Sequence, residues 1–397
     1  MTDAPTLEQS FSGGRLVRPG GKSRDFVHLV RALARLAGAI DSPAAVETGH
    51  LERLIGPAEH YVFVLVDGMG DELVTLAPGK GFLQDHRVER LKTVYPSTTA
   101  AVLTSLATGT WPNQHASCGW WMYLAPRKVS ITTLPFVERF HQRPLTEHGL
   151  GVKDVLPLST IWKSSSHSLM TFLPRTLKDS AFARYMTGGE PRAGYETMDQ
   201  AMELVGERVA AAGKPSFTYL YLPHFDARGH DSGIEKALPV LERIDERLGR
   251  LANQIEGKAR LVVSADHGMI DLPDRNVRIL DEHHELLRLL EVPPTGEPTM
   301  PIFHVRPGLE ERFWELAHEV LGDLFALITP DDVERLALMG PGRLEDTARS
   351  RLGNFVGIAS EPAALYLRQE GRDRFVHRAV HCGLSPSEMW IPLILAG

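Results

Sequence analysis

The strongest hydrophobic pattern in the chain is a set of short, unbroken apolar runs that each stop at a polar residue. "YVFVLVDGMG", residues 61–70, is six apolar residues ending on Asp67 and a glycine turn. A run of this length without alternation predicts a strand covered on both faces, as in a parallel sheet. "SFTYLYLP" and "ARLVVSADHG" repeat the pattern, and "EMWIPLILAG" closes the chain with another such strand. Between these runs the period changes. "SRDFVHLVRALARLAGAI" places apolar residues at Phe26, Val30, Leu33, Leu36 and Ala37, a helical spacing. A second short helix is expected over about 43–55. "YPSTTAAVLTSLATG" predicts a turn entering a helix, with Pro96 as punctuation and Ser97, Thr98 and Thr99 offering N-cap oxygens. "ETMDQAMELVGERVAAAG" and most of "EKALPVLERIDERLGRLANQIEG" read as helices.

Helices alternating with apolar strands predict an α/β fold, with a mostly parallel central sheet and helices on both faces. Residues 1–24 are polar and glycine-rich and read as an irregular N-terminal arm. Residues 25–397 read as one domain with insertions at about 111–200 and 273–378. The first holds Trp111, Trp120, Trp121 and several prolines, and is expected to lid or wall a site. The second carries its own short elements in "PIFHVRP", "LEERFWELAHEVLG", "FALIT" and "NFVGIAS".

Composition narrows the function classes. The 397 residues are 43% hydrophobic and 23% charged, with a formal net charge of −7. The sequence pI is near 6.2. An acidic balance argues against a nucleic-acid polymer or an anionic membrane as partner, since either selects a basic surface. No apolar stretch approaches the roughly 20 residues needed to span a bilayer. The opening "MTDAPTLEQSFSGGRLVRPGG" has no apolar core of the secretory type, so a cytoplasmic location is expected. Cys118 and Cys382 are the only cysteines, which leaves neither a disulfide framework nor a thiolate zinc motif.

The polar residues that end the strands are chemically consistent. The first strand ends at Asp67; "HFDARGHDSG" supplies Asp226 and, four residues on, His230. "SADHG" supplies Asp266 and His267, and His381 lies shortly before the last strand. Taken singly, each has a structural explanation as a turn cap, a polar loop or a satisfied histidine. Together they put carboxylates and imidazoles after strand upon strand, at the sheet edge where α/β folds bind ligands. Asp and His without Cys suit zinc or manganese. Six such ligands are too many for one tetrahedral ion and natural for two. A pair of ions can clamp both the attacking and the leaving oxygen of a phosphoryl displacement. The hydroxyls of "YPSTTAAVLTSLATG" begin a helix, where amide groups and the dipole favour anions.

The series "VDGMG", "PSTTAAVLTSLATGTWPNQH", "FDARGHDSG", "SADHGM" and "HCGLSPSEMWIPLI" resembles the alkaline phosphatase superfamily. Within it the chain is most similar to the nucleotide pyrophosphatase/phosphodiesterase family, over residues 61–397. The resemblance implies a two-metal phosphohydrolase acting on phosphodiester or pyrophosphate bonds of a small phosphate-ester substrate. It implies Thr99 as nucleophile, by way of a phosphothreonine intermediate, with Thr98 as the fallback. It assigns Asp67, Asp266 and His267, with the nucleophile, to one divalent cation, and Asp226, His230 and His381 to the other. Zinc is expected first and manganese second. The diesterases carry an Asn that supports the phosphoryl oxygen; read without gaps, Trp120 stands in its place, while Asn113 lies in the preceding turn. Thr98, Asn113 and Trp120 are therefore the candidate substrate-binding residues. A phosphomonoesterase or mutase on the same core is the first alternative, and an inactive metal-binding regulatory protein the second. A sulfatase is disfavoured, because neither "CGWWM" nor "CGLSP" resembles the C-x-P-x-R sequence that sulfatases modify.

Overall fold

The computed structural model describes residues 1–20, 23–40, 45–76, 81–368 and 376–397. Residues 21–22 of the expected arm, 43–44 of the second expected helix and 369–375 of the second expected insertion lie outside the described residues.

The apolar runs form the middle of a seven-stranded sheet. Its order is Arg87–Lys92, Trp390–Ala396, Arg260–Ser264, His60–Val66, Ser216–Leu222, Ser168–Pro174, Arg192–Tyr195. Every neighbour pair is parallel except those made by Trp390–Ala396, which runs antiparallel to both of its neighbours. Ser216–Leu222 is buried at every position and His60–Val66 at all but its first. Successive side chains of a strand point to opposite faces, so both faces of the sheet centre are covered. The helix Ile234–Ile255 shows how the covering layer is specified. It buries Ala237, Val240, Leu241, Ile244, Leu248, Leu251 and Ile255, one stripe at three- and four-residue spacing. The helix Phe26–Leu36 is started by Asp25, whose carboxylate accepts from the His28 amide at 3.0 Å.

Register places the site. His60–Val66 pairs with Ser216–Leu222 along its whole length, and Leu65 is level with Ser264 on the other side. The three strands therefore end together, and Asp67, Asp226 and Asp266 follow within a few residues of that common edge. Gly70 and Gly268 let the loops close there. A Cβ on Gly70 would lie 2.8 Å from Gly268 Cα and 2.8 Å from Ser387 O, while one on Gly268 would run into Ser387 O.

A second seven-stranded sheet has the order Phe325–Ile328, Phe355–Ala359, Met300–Phe303, Thr295–Glu297, Trp121–Leu124, Val129–Thr132, Val137–Glu138. All its pairs are antiparallel. The bridge between Gly296 and Trp121 joins strands from the two expected insertions into one sheet.

Two stretches differ from the sequence expectation. Ser168–Pro174 and Arg192–Tyr195, within the expected first insertion, extend the main sheet at its edge. Their exposed and half-buried positions dilute the apolar signal that marks the central strands. Within the expected irregular arm, Ala4–Ser12 is a helix that buries Ala4 and Leu7. Asp3 fastens it to the second sheet, with its amide donating to Leu327 O and its carboxylate accepting from the Leu327 amide, both at 2.8 Å.

Candidate active site

Each acidic candidate is held by its local structure. Asp67 follows its strand directly, and its amide donates to Leu222 O at 3.0 Å. Its Oδ2 accepts a hydrogen bond from the Tyr221 hydroxyl. Asp266 Oδ1 accepts from the amides of Gly68 (3.0 Å) and His267 (2.9 Å), which fixes the carboxylate and leaves Oδ2 without a hydrogen bond. Asp226 and His230 lie one turn apart on the helix His224–Ser232, so both face one direction. Asp226 Oδ1, although buried, also lacks a hydrogen-bond partner among the described residues.

The three histidines are oriented alike. Nδ1 of His230 meets Ala379 O at 2.8 Å, Nδ1 of His267 meets Gly268 O at 3.0 Å, and Nδ1 of His381 meets Ser97 O at 3.1 Å. A carbonyl can only accept, so each Nδ1 carries a proton, and in the neutral ring the lone pair is then on Nε2. Metal-ligating histidines are commonly fixed in this way.

The Nε2 atoms converge on the carboxylates. His267 Nε2 lies 3.5 Å from Asp67 Oδ1 and 3.4 Å from Asp266 Oδ2. His230 Nε2 lies 3.4 Å, and His381 Nε2 3.9 Å, from Asp226 Oδ1. The rings of His267 and His381 stack with centroids 3.8 Å apart. Donor atoms of Asp67, Asp266 and His267 lie within 4.8 Å of one another, and so do those of Asp226, His267 and His381. His267 thus stands between two groups. His230 reaches the second group through Asp226 and is not one of its tightest three.

Among the described residues, no Lys or Arg forms an ion pair with Asp67, Asp226 or Asp266; histidines are their only such partners. Burial pushes the Asp67 carboxyl well above its usual range, and the charges of Asp266 and Asp226 push it further. Burial likewise raises Asp226, against the pull of His230 and His267. It lowers His381 well below the usual imidazole value, and His267 and His230 add to that. Three carboxylates in a dry pocket are stable as anions only beside cations. The orphaned Asp226 Oδ1 and Asp266 Oδ2, together with three Nε2 atoms turned to the carboxylates, make a donor set that fits divalent metal ions.

Thr99 opens the helix Thr99–Thr108. Its Oγ1 lies 3.2 Å from His267 Nε2 and 3.5 Å from Asp67 Oδ1, which places a hydroxyl against the buried metal-ligand group. Thr98 is the N-cap residue, yet its side chain caps nothing. Its hydroxyl instead donates to Glu297 Oε1 at 2.6 Å.

A cavity of about 660 Å³ opens on this edge, lined among others by Thr98, Thr99, Trp120, Asp226, His230 and His381. The second sheet forms its far wall. Trp120 lines the cavity, but its amide is taken by Glu297 Oε1 at 2.8 Å. Asn113 is not among the residues that line it. Its amide nitrogen is spent on the carbonyls of Pro341 (2.8 Å) and Arg343 (2.9 Å), so it ties down a loop instead.

Sequence reasoning missed two residues here. Glu297 reaches the site only through the long-range pairing of Gly296 with Trp121. Burial raises its carboxyl to about 7, against hydrogen bonds from Thr98 and Trp120. Tyr221 left a weak signal, because Tyr219 and Tyr221 alternate on one face of a strand whose next turn carries Asp226.

The fold and this donor set define a metal-dependent phosphoester hydrolase of alkaline phosphatase-like architecture. The chain belongs to the type I phosphodiesterase / nucleotide pyrophosphatase family, whose model matches residues 61–381. Solved structures agree on the fold. Murine ectonucleotide pyrophosphatase/phosphodiesterase 5 superposes with a TM-score of 0.63 at 16% identity, covering 85% of this chain and 88% of that one. The human protein gives 0.63 at 17% identity, covering 85% and 87%. Phosphonoacetate hydrolase from Sinorhizobium meliloti 1021, in complex with phosphonoacetate, gives 0.59 at 15% identity, covering 84% and 89%. Curated proteins yield no sequence match. Among the described residues, no helix is long and apolar enough to cross a membrane.

Proposed function

We propose that this protein cleaves phosphodiester or pyrophosphate bonds of a small substrate, and that Thr99 attacks phosphorus to give a covalent phosphothreonine. The observation that carries the reading is the Thr99 hydroxyl at a helix start, within 3.5 Å of both His267 Nε2 and Asp67 Oδ1. Asp67, Asp266 and His267, with Thr99, suit one divalent cation; Asp226, His230 and His381 suit a second. Zinc is preferred over manganese for this mixture of imidazole and carboxylate. Bound there, such ions supply Lewis-acid polarisation and lower the pKa of a coordinated hydroxyl group.

The chain's own residues do the positioning. The helix start offers backbone N–H groups and the positive end of its dipole to the phosphoryl oxygens. The Thr98 hydroxyl, turned to Glu297, leaves those amides uncapped. Asp67 Oδ1 accepts from the Thr99 hydroxyl and holds it in place for in-line attack. Water then cleaves the phosphothreonine and restores the hydroxyl. The second sheet walls the substrate cavity.

Two relatives support a phosphate-type ligand. A murine phosphodiesterase 5 variant, inactive through a threonine-to-alanine change, was solved in complex with AMP. The bacterial relative holds phosphonoacetate. A reducing, cytoplasmic setting suits Cys118 and Cys382, both buried and free.

The test is direct. Purified protein should carry about two transition-metal ions per chain and release nitrophenol from bis(4-nitrophenyl) phosphate. Thr99→Ala should abolish turnover while metal content persists. An unchanged rate in that variant would refute the assignment of the nucleophile.

A further inference from the structure

Among the described residues, Arg139 has no carboxylate partner. It follows the strand Val137–Glu138 of the second sheet and lines the cavity. Its guanidinium lies over the Trp121 ring, 4.0 Å from the centroid, and 5.1 Å from that of Phe140. One nitrogen, Nη1, donates to Pro294 O at 2.6 Å. Among the described residues, Nε and Nη2 make no hydrogen bond and the side chain forms no ion pair.

Among the described residues, neighbouring charges have partners of their own. Arg368 pairs with Asp281 at 2.9 Å. Glu297 Oε1 is held by Thr98 and the Trp120 amide. The Glu138 carboxylate accepts from the amides of Phe140 and His141 and contacts the His141 ring at 2.9 Å. Burial lowers the Arg139 pKa to about 9, and the charges of Glu297 and Glu138 offset this only in part. A half-buried guanidinium set 4.0 Å from an indole centroid, with Nε and Nη2 unbonded among the described residues, is pre-organised for a two-oxygen anion.

That anion is distinct from the reacting phosphoryl group. The reacting group belongs at Thr99, against the metal-ligand cluster. Thr99 and Arg139 are linked only through a chain of contacts, the Thr98–Glu297–Trp120 hydrogen bonds and then Trp121. A cavity of about 660 Å³ has room for a ligand well beyond one phosphate.

We propose that the cavity selects phosphate or phosphonate compounds that carry a second anionic group, and that Arg139 receives that group. This rests on the phosphohydrolase reading for the first group only. Arg139 is a specificity-determining residue; it performs no bond-breaking step.

Calorimetry on the metal-loaded protein tests it without turnover, using methylphosphonate, phosphonoacetate and methylenediphosphonate. One or both two-anion probes should bind at least about tenfold tighter than methylphosphonate, as one charge-assisted contact allows. Arg139→Gln should erase that preference and leave methylphosphonate binding unchanged, and Arg139→Lys should keep part of it. A preference confined to phosphonoacetate assigns the second group as a carboxylate; one confined to methylenediphosphonate assigns it as phosphoryl. A preference that survives in Arg139→Gln, or equal weakening of all three probes, overturns the proposal. Bis(4-nitrophenyl) phosphate, assayed in parallel, reports on the hydrolase reading separately. Its failure alongside an Arg139-dependent preference would remove that reading and keep the anion site.

Discussion

Thr98 Oγ1 donates to Glu297 Oε1 at 2.6 Å, across 199 residues of sequence. The same oxygen accepts from the Trp120 amide at 2.8 Å. One carboxylate from the second sheet thus fixes the N-cap of the helix Thr99–Thr108 and the backbone at the cavity wall. Glu297→Ala would strand both donors. A loss of about 1–3 kcal/mol of stability is expected from unsatisfied buried groups. Glu297→Gln keeps the accepting oxygen and should cost less. Thermal denaturation of both variants decides; equal Tm values for Glu297→Ala and the parent would mean that the contact has no weight.

Glu297 also sets a pH dependence. Its carboxyl rises from 4.5 to about 7 in the folded chain. The folded state therefore holds a proton that the unfolded state has released. This contribution is fully present below pH 4.5 and is lost as pH rises through about 7. At about 1.4 kcal/mol per pH unit, the ceiling is about 3 kcal/mol. Glu297→Gln should flatten this part of the stability profile. A parallel profile in the variant would place the titration on another group.

Metal removal should act with opposite signs on two forms of the protein. Chelation takes cations from three buried carboxylates, so Tm should fall. Saturation at about 100-fold over Kd is worth about 2.7 kcal/mol. Asp67→Asn removes one of the repelling charges. In the chelated form the variant should become the more stable of the two as pH rises, because the parent loses stability between the ordinary carboxylate range and the elevated Asp67 pKa. With metal in excess the order should reverse. Scanning calorimetry with and without chelator checks both arms, and the same order in both would refute the electrostatic account.

How far the sequence carries is clear from particular residues. Asp67, Asp226 and Asp266 were legible because each follows an apolar run, and a buried strand announces itself by composition alone. His230 was legible from its four-residue distance to Asp226. Glu297 and Arg139 were not. Both sit in short strands or turns without a helical or strand period, and only the pairing of Gly296 with Trp121 across the chain brings Glu297 to the site. Asn113 lies apart from the cavity lining for a related reason. Local sequence put it next to the expected phosphate-binding position, while its amide is claimed by Pro341 and Arg343, more than 200 residues away. The strand Arg192–Tyr195 escaped because an edge strand need not be apolar on both faces.

Gly268 follows His267 because no other residue fits. A Cβ there would collide with Ser387 O, in the loop that leads from His381 into the last strand. The Gly268 amide donates to Glu388 O at 2.9 Å, so the loop cannot simply move away. Gly268→Ala should push His267 and His381 apart and weaken metal binding by at least about tenfold, the lower end for disturbed ligand orientation. Metal titration against a chromogenic chelator measures this. Unaltered affinity would show that the loops have slack that the packing does not reveal.

Tyr221 tests the same principle without steric change. Its hydroxyl donates to Asp67 Oδ2 and orients the carboxylate whose other oxygen faces Thr99 and His267. Tyr221→Phe keeps the ring that the core packs around and removes only that bond. Outer groups that hold a ligating carboxylate or imidazole typically account for 10- to 100-fold in metal affinity or activity, so a loss in that range is expected. The fold should survive, because the ring is buried between neighbouring strands and the aromatic contact area is unchanged. Tyr221→Phe should therefore separate two readouts: near-parent Tm under chelation, and weakened metal affinity on titration. If Tm in chelator falls as far as metal affinity does, the tyrosine is part of the core rather than a support for Asp67.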